Sequence, residues 1–168
     1  PRYIDALDKV AKAAGWGREM PEGTGLGVAV TDSFGTLVAQ IAEVDVNGDS
    51  PRVTKVWAAA DPGYVMNPDG FTAQIESGII YGLTAALYGN ITVENGEVAQ
   101  SNFHDYEMLR IDEAPEIEVI LINSGARVGG GGEPGTPPIA PAVANAIFAA
   151  TGKRMRKLPL GYEIGGTV

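Results

Sequence analysis

The sequence predicts an α+β fold: an antiparallel or mixed sheet of about five or six strands packed against two long helices. Short apolar runs joined by tight-turn dipeptides read as a strand meander. Longer stretches repeat apolar residues at helical spacing. A glycine-rich segment, 129–135, separates the last strand pattern from the last helical one.

The first residues are helical in pattern. Ile4, Leu7, Val10, Ala11 and Ala14 recur on one face, and Gly15 ends the run. Gly25 to Thr31 reads as a strand, with Val28 and Val30 alternating with smaller residues. Thr36 to Val46 reads as a second, after a turn at Phe34-Gly35. Asn47-Gly48-Asp49 signals a hairpin leading to a third strand, Arg52 to Ala60. Short connections of this kind make a meander rather than βαβ units. Asp61-Pro62-Gly63 breaks the pattern.

Asn67 and Pro68 are suited to be the N-cap and first residue of the next helix. Ile75, Ile79, Leu83 and Leu87 form its apolar stripe, and Gln74, Ser77, Gly78 and Tyr81 lie on a neighbouring face. Gly70, Gly78 and Gly82 each weaken the helix by roughly 1 kcal/mol relative to Ala. They imply close packing, against another backbone or a large ligand. Asn95-Gly96 marks a hairpin between Ile91–Val93 and Val98–Gln100. The polar and aromatic segment Ser101 to Arg110 is either a site lining or an ordered surface loop with His104 bonded to backbone. Ile117 to Ile122 is a further strand. The last helix runs near Pro138 to Thr151, with Ile139, Val143, Ile147 and Ala150 on one stripe and Gly152 beyond its end. Lys153, Arg154, Arg156 and Lys157 then suit the negative end of the helix dipole, or a phosphate or subunit contact.

Composition narrows the function. A chain of 168 residues is one domain by length and can bury a sizeable core. Its net charge of -9 repels phosphate backbones, so nucleic acid is not an expected partner. There is no cysteine and a single histidine, which excludes disulfides and thiolate metal sites and disfavours a histidine-based site or a Ser-His-Asp triad. No apolar run reaches membrane-spanning length. Gly23-Thr24-Gly25-Leu26-Gly27 precedes a strand, so it is not a dinucleotide fingerprint. Gly152-Lys153 lacks the rest of a P-loop, and Ser77 lacks a nucleophile elbow. The sequence starts at Pro1-Arg2-Tyr3, directly in a helical pattern, which favours a piece of something larger.

The run Gly129-Gly130-Gly131-Gly132-Glu133-Pro134-Gly135-Thr136-Pro137-Pro138 is the most distinctive stretch. Its glycines let a cofactor or substrate approach the backbone. Pro134 biases Glu133 toward an extended conformation. Thr136 suits an N-cap and Pro137 a first helical residue. Glu133 therefore sits where a general base could be placed, or it is a solvated glutamate in a flexible loop.

Four stretches together resemble the C-terminal part of the molybdenum-binding large subunit of the xanthine dehydrogenase and aldehyde oxidase family. They are Asp61-Pro62-Gly63 with Asn67-Pro68; Ala73-Gln74-Ile75-Glu76-Ser77-Gly78-Ile79; Ser101-Asn102-Phe103 with Tyr106 and Leu109-Arg110; and Gly132 to Ala142. Ser-Asn-Phe-His-Asp-Tyr and the ending Ala149 to Arg154 most resemble isoquinoline 1-oxidoreductase beta subunits and related bacterial aldehyde dehydrogenases. Pro62 stands where such proteins often carry Cys, and Gly131 replaces a commoner valine.

The resemblance implies a single domain, 1–168, forming one segment of a molybdopterin-binding large subunit. It implies a molybdenum hydroxylase that oxidises an aldehyde or N-heteroaromatic substrate with water-derived oxygen, with Glu133 as general base. It further implies a molybdenum-pyranopterin cofactor, in the cytosine dinucleotide form, bound only in the complete enzyme and contacted by Gln74, Gly132 and Gly135. No side chain of this chain is expected to ligate the metal. The implied partners are the remainder of the large subunit and an iron-sulfur small subunit. The isolated chain is expected to be inactive, and the enzyme bacterial, periplasmic or cytoplasmic, with a lean to the periplasm. The alternative is a noncatalytic binding or structural domain that keeps the fold without the cofactor.

Overall fold

The computed structural model describes residues 1–47 and 51–160. Helix α1 (Arg2–Ala14) precedes three strands, β1 (Thr24–Ser33), β2 (Thr36–Asp45) and β3 (Arg52–Asp61). Helix α2 (Pro68–Leu87) follows, then the two-residue strands β4 (Val93–Glu94) and β5 (Glu97–Val98), strand β6 (Glu116–Leu121) and helix α3 (Ile139–Thr151).

The first three strands form the expected antiparallel meander, and β6 adds to β3 in parallel, giving the order β1-β2-β3-β6. A parallel neighbour needs a crossover, which α2 and the segment after it provide. Asp45 pairs with Arg52 across the second hairpin. Gly48 and Asp49 of the expected Asn47-Gly48-Asp49 turn lie outside the described residues.

Helices cover both faces of this sheet, so β2 reads as a nearly continuous apolar run. Leu37, Ala39 and Ile41 of β2 join Trp57 and Ala59 of β3 against Ala6, Val10 and Ala14 of α1. Val38, Ala42 and Val44, with Val56, Ala58 and Ala60, face α2 and α3 on the other side. The α2 stripe of Ile75, Ile79, Leu83 and Leu87 is buried in that second cluster, as its spacing predicts.

Gly78 and Gly82 of α2 meet the segment from Gly135 to Ile139, whereas Gly70 meets only the Asn67 side chain. A Cβ on Gly82 would lie 2.5 Å from Ile139 Cγ2 and 2.9 Å from the Thr136 carbonyl oxygen. Across the sheet, Gly25 and Gly27 let α3 press onto β1, where any side chain would overlap the backbone of Ala146.

Several expectations are corrected. The single sheet of about five or six strands is a four-stranded sheet plus a separate β4-β5 hairpin. Residues 91–100 have no buried face, with Val93 and Val98 both exposed, so no apolar contact among the described residues holds that hairpin to the main sheet. Its turn does have the expected geometry, with Asn95 at φ 52° and Gly96 at φ 87°. Two long helices become three: α2 has 20 residues, and α1 and α3 have 13 each. Helix α1 belongs to the fold because the second sheet face needs a cover. Finally, α3 starts at Ile139 behind Pro138, not at Pro137 behind a Thr136 cap. The Thr136 hydroxyl instead donates to the Gly78 carbonyl at 3.1 Å, tying the loop to α2.

Candidate active site

The β1-β2 turn and the C-terminal ends of β3 and β6 lie at the same end of the sheet. The glycine-rich segment runs across this end. Gly130 N–H donates to the Phe34 carbonyl at 2.8 Å, Gly129 N–H to the Pro62 carbonyl at 2.9 Å, and the Thr36 hydroxyl to the Gly130 carbonyl at 2.6 Å.

The base of this end is anchored by Asp61. Arg2 Nε donates to its carboxylate at 2.6 Å, and Ser124 Oγ and Gly63 N–H donate at 2.8 and 2.9 Å. Burial pushes the Asp61 carboxyl up, but the hydrogen bonds from Arg2, Ser124 and Gly63 outweigh it and hold it below the ordinary carboxylate value. The break read at Asp61-Pro62-Gly63 is thus a knot joining α1, β3 and the chain after β6.

The four expected site residues come together. Gln74, near the start of α2, donates from Nε2 to the Gly132 carbonyl at 2.8 Å. Gly135 presses on the same helix: a Cβ there would lie 2.6 Å from the Ile75 carbonyl oxygen. Glu133 sits between them and is exposed, while Pro134 and Gly135 are buried. Asn67 caps α2, its Oδ1 accepting from Gly70 N–H at 3.0 Å, as expected. An apolar cleft of about 240 Å³ opens beside Gln74, lined by Tyr64, Met66, Phe71, Val128 and Gly131.

A larger cleft, about 600 Å³, lies elsewhere, against Tyr88, His104, Met108 and Glu113. Several of its ionisable groups already have hydrogen-bond partners. Backbone N–H groups of Asn102 and Ser101 hold Asp105 at about 2. Tyr88 donates to Glu113 at 2.6 Å; burial, then that bond, raises the phenol, and the same bond lowers the carboxyl. Segment 101–110 is therefore an ordered surface loop built on Asp105. His104 points to that carboxylate at 3.6 Å rather than to backbone. Neither Gln74 nor the glycine segment reaches this cleft, so the smaller one is the candidate site. Of the basic cluster, Arg154 stacks over the Phe148 ring of α3.

Sequence reading missed Gln40. It lies in the middle of β2, wholly buried, and its Nε2 donates to the Gly135 carbonyl at 2.8 Å. The signal was present: a lone amide inside the apolar run Leu37 to Val44. A buried amide demands a partner.

Residues 6–115 match the family of molybdopterin cofactor-binding domains. The chain is 38% identical over 165 residues to the isoquinoline 1-oxidoreductase subunit beta of Brevundimonas diminuta, covering 95% of this chain and 21% of that protein. It is 34% identical over 166 residues to the membrane-bound aldehyde dehydrogenase (pyrroloquinoline-quinone) of Gluconacetobacter polyoxogenes, covering 95% and 22%. Among solved structures, the aldehyde oxidoreductase from Desulfovibrio desulfuricans superposes with a TM-score of 0.66 at 26% identity, over 77% of this chain and 15% of that one. The chain thus spans about a fifth of the length of these curated relatives. Among the described residues, no helix is long and apolar enough to cross a membrane.

Proposed function

The chain belongs to the molybdopterin cofactor-binding domain family, and we propose that it forms one edge of the active site of a bacterial molybdenum hydroxylase. The substrate is an aldehyde or an N-heteroaromatic compound, the classes that the names of its relatives span. The observation that supports this best is the hydrogen bond from Gln74 to Gly132, which brings two distant segments together beside Glu133.

The residues present fit a pterin. Among the described residues, no atom beyond its two chain neighbours lies within 4 Å of where a Gly132 side chain would begin, so a flat ligand can approach that backbone. Gln74 is exposed and engages one N–H with Gly132; its amide has a second N–H and an oxygen acceptor to offer a fused ring. Gln74 and Gly132 would hold the group, in its cytosine dinucleotide form; Gly135, expected beside them, is instead buried against α2 with its carbonyl taken by Gln40, so it seats the loop rather than touching the group. When bound, the molybdenum-pterin supplies transfer of water-derived oxygen to an electron-poor carbon and uptake of the electron pair.

In this reading Glu133 takes up the proton released on activating the water-derived oxygen. Its backbone is held from both sides while the residue itself stays exposed. The neighbouring apolar cleft of Tyr64, Phe71 and Val128 would exclude water from one side. The remainder of a large subunit would complete the pocket, and an iron-sulfur small subunit would receive the electrons. The chain alone would bind no cofactor and turn over nothing, because it presents one edge only.

The exposure of Glu133 favours one competing reading, a noncatalytic domain of the same fold with a solvated loop glutamate. Glu133→Gln in the complete protein separates the two. The amide keeps size and reach but cannot accept the proton. Molybdenum content should stay near wild type while turnover falls by about 10²–10⁴-fold, the usual cost of losing a general base. A fully loaded variant with near-normal turnover would remove Glu133 from the chemistry.

A further inference from the structure

We propose that Gln40 is a positioning residue for Glu133, acting through the Gly135 carbonyl; the proposal rests on the reading of Glu133 as the base. Gln40 stands between Ala29 of β1 and Ala58 of β3 in the sheet register, on the face that packs α2 and α3. It is 0% exposed. Its Nε2 donates to Gly135 O at 2.8 Å, whereas its Oε1 finds no partner among the described residues. Burying an amide whose oxygen has no partner is unfavourable. An apolar side chain of similar size would fill the same space without that cost. The position therefore has a use for the one bond the amide does make.

That use is visible in the loop. Gln74 grips the carbonyl one residue before Glu133, and Gln40 grips the carbonyl two residues after it. Thr136 N–H returns to the Glu133 carbonyl at 3.1 Å. Pro134, buried between the two grips, has its φ fixed by its ring. Glycines on both sides leave this stretch with little stiffness of its own. Two amides, one on the rigid central strand and one on α2, convert it into a fixed platform. A displacement of about 1 Å in a catalytic group can lower rate by about 10²-fold, so the grip from β2 bears directly on turnover.

The test is a double-mutant cycle in the complete, cofactor-loaded protein. Gln40→Met keeps the unbranched length and removes the donor; Gln40→Leu is made in parallel in case Met packs poorly. We expect kcat to fall about 10-fold or more with KM within about twofold and molybdenum content unchanged. On a Glu133→Gln background the same change should cost no further rate, because residues acting through one another are not additive. Hydrogen exchange at the Thr136 amide should quicken in the Gln40 variants. Equal losses on both backgrounds, or undiminished kcat in Gln40→Met, overturn the proposal. If Glu133→Gln alone keeps near-normal turnover, it is the base reading that fails. The Thr136 exchange rate then judges Gln40, and unchanged protection overturns its positioning role.

Discussion

Gln74 and Gly132, 58 residues apart in sequence, meet in a 2.8 Å hydrogen bond at the rim of an apolar cleft. The side chain belongs to a helix and the carbonyl to a glycine run. The bond therefore joins a stiff element to one that would otherwise sample many conformations. Gln74→Ala removes it. Because Gln74 is exposed, the fold should lose little, about 0.5–1.5 kcal/mol for one net hydrogen bond. Molybdenum per complete protein should fall several-fold. Full loading with an unchanged melting temperature would show that Gln74 does not hold the cofactor.

Phe34 offers a different test. It has φ 59° and is followed by Gly35 at φ 77°, so both central residues of the β1-β2 turn are left-handed. Such turns favour Asn-Gly, and a bulky residue there is strained by roughly 1–2 kcal/mol. Phe34 is also 62% exposed, so its ring gains little from burial within this chain. Phe34→Asn should stabilise the domain by about 1 kcal/mol in denaturant unfolding. A loss of stability would mean that the ring contributes packing that offsets its backbone.

The Arg2-Asp61 pair predicts a pH response. Folding lowers the Asp61 carboxyl, so the stabilisation is full above the unfolded value near 3.9 and fades as pH falls through the folded one. Arg2→Ala removes three donated bonds, to the carboxylate, to the Asp61 carbonyl and, longer, to the Gly35 carbonyl, and leaves burial less opposed. The folded-state value should rise, and acid unfolding should begin at higher pH than in wild type. Coincident acid transitions would show that Ser124 and Gly63 alone hold the carboxylate.

Much of this architecture is legible in the sequence, for local reasons. The α2 stripe, the meander and the turn at Asn95-Gly96 follow from side-chain period and turn chemistry, which act over a few residues. The match of Gly78 and Gly82 to a second backbone was foreseeable as packing, though not which backbone. What escaped is non-local. Nothing near Gln40 announces that Gly135 will lie over it, 95 residues later. Thr136 has the identity of a helix cap, yet its hydroxyl finds the Gly78 carbonyl, because tertiary packing sets α2 within its reach. The strand count failed for a similar reason: residues 91–100 have good turn residues, but a strand joins a sheet only when it has a face to bury.

Gly27 links stability to the site. It sits in β1 directly beneath α3, where a Cβ would overlap the Ala146 amide nitrogen and the Ala142 carbonyl oxygen. Both obstacles are backbone, so no rotamer change can make room. Gly27→Ala must lift α3 away from β1, with a cost of about 1–3 kcal/mol or more for overpacking. The start of α3 is joined to the loop through Pro138 and Thr136, and Asn145 Nδ2 fastens the helix to the Val28 carbonyl at 3.0 Å. A lifted helix therefore pulls on the segment that carries Glu133. In the complete protein, Gly27→Ala should lower the melting temperature and also reduce kcat, although the substitution lies on the strand rather than in the loop. Leu83→Ala, which empties volume beneath α2 without driving backbones apart, should cost about 2–5 kcal/mol and serves as the comparison. If both variants lose turnover only in proportion to the fraction unfolded, the α3 linkage to Glu133 is refuted. A loss of kcat confined to Gly27→Ala, at temperatures where each variant is fully folded, is the expected result.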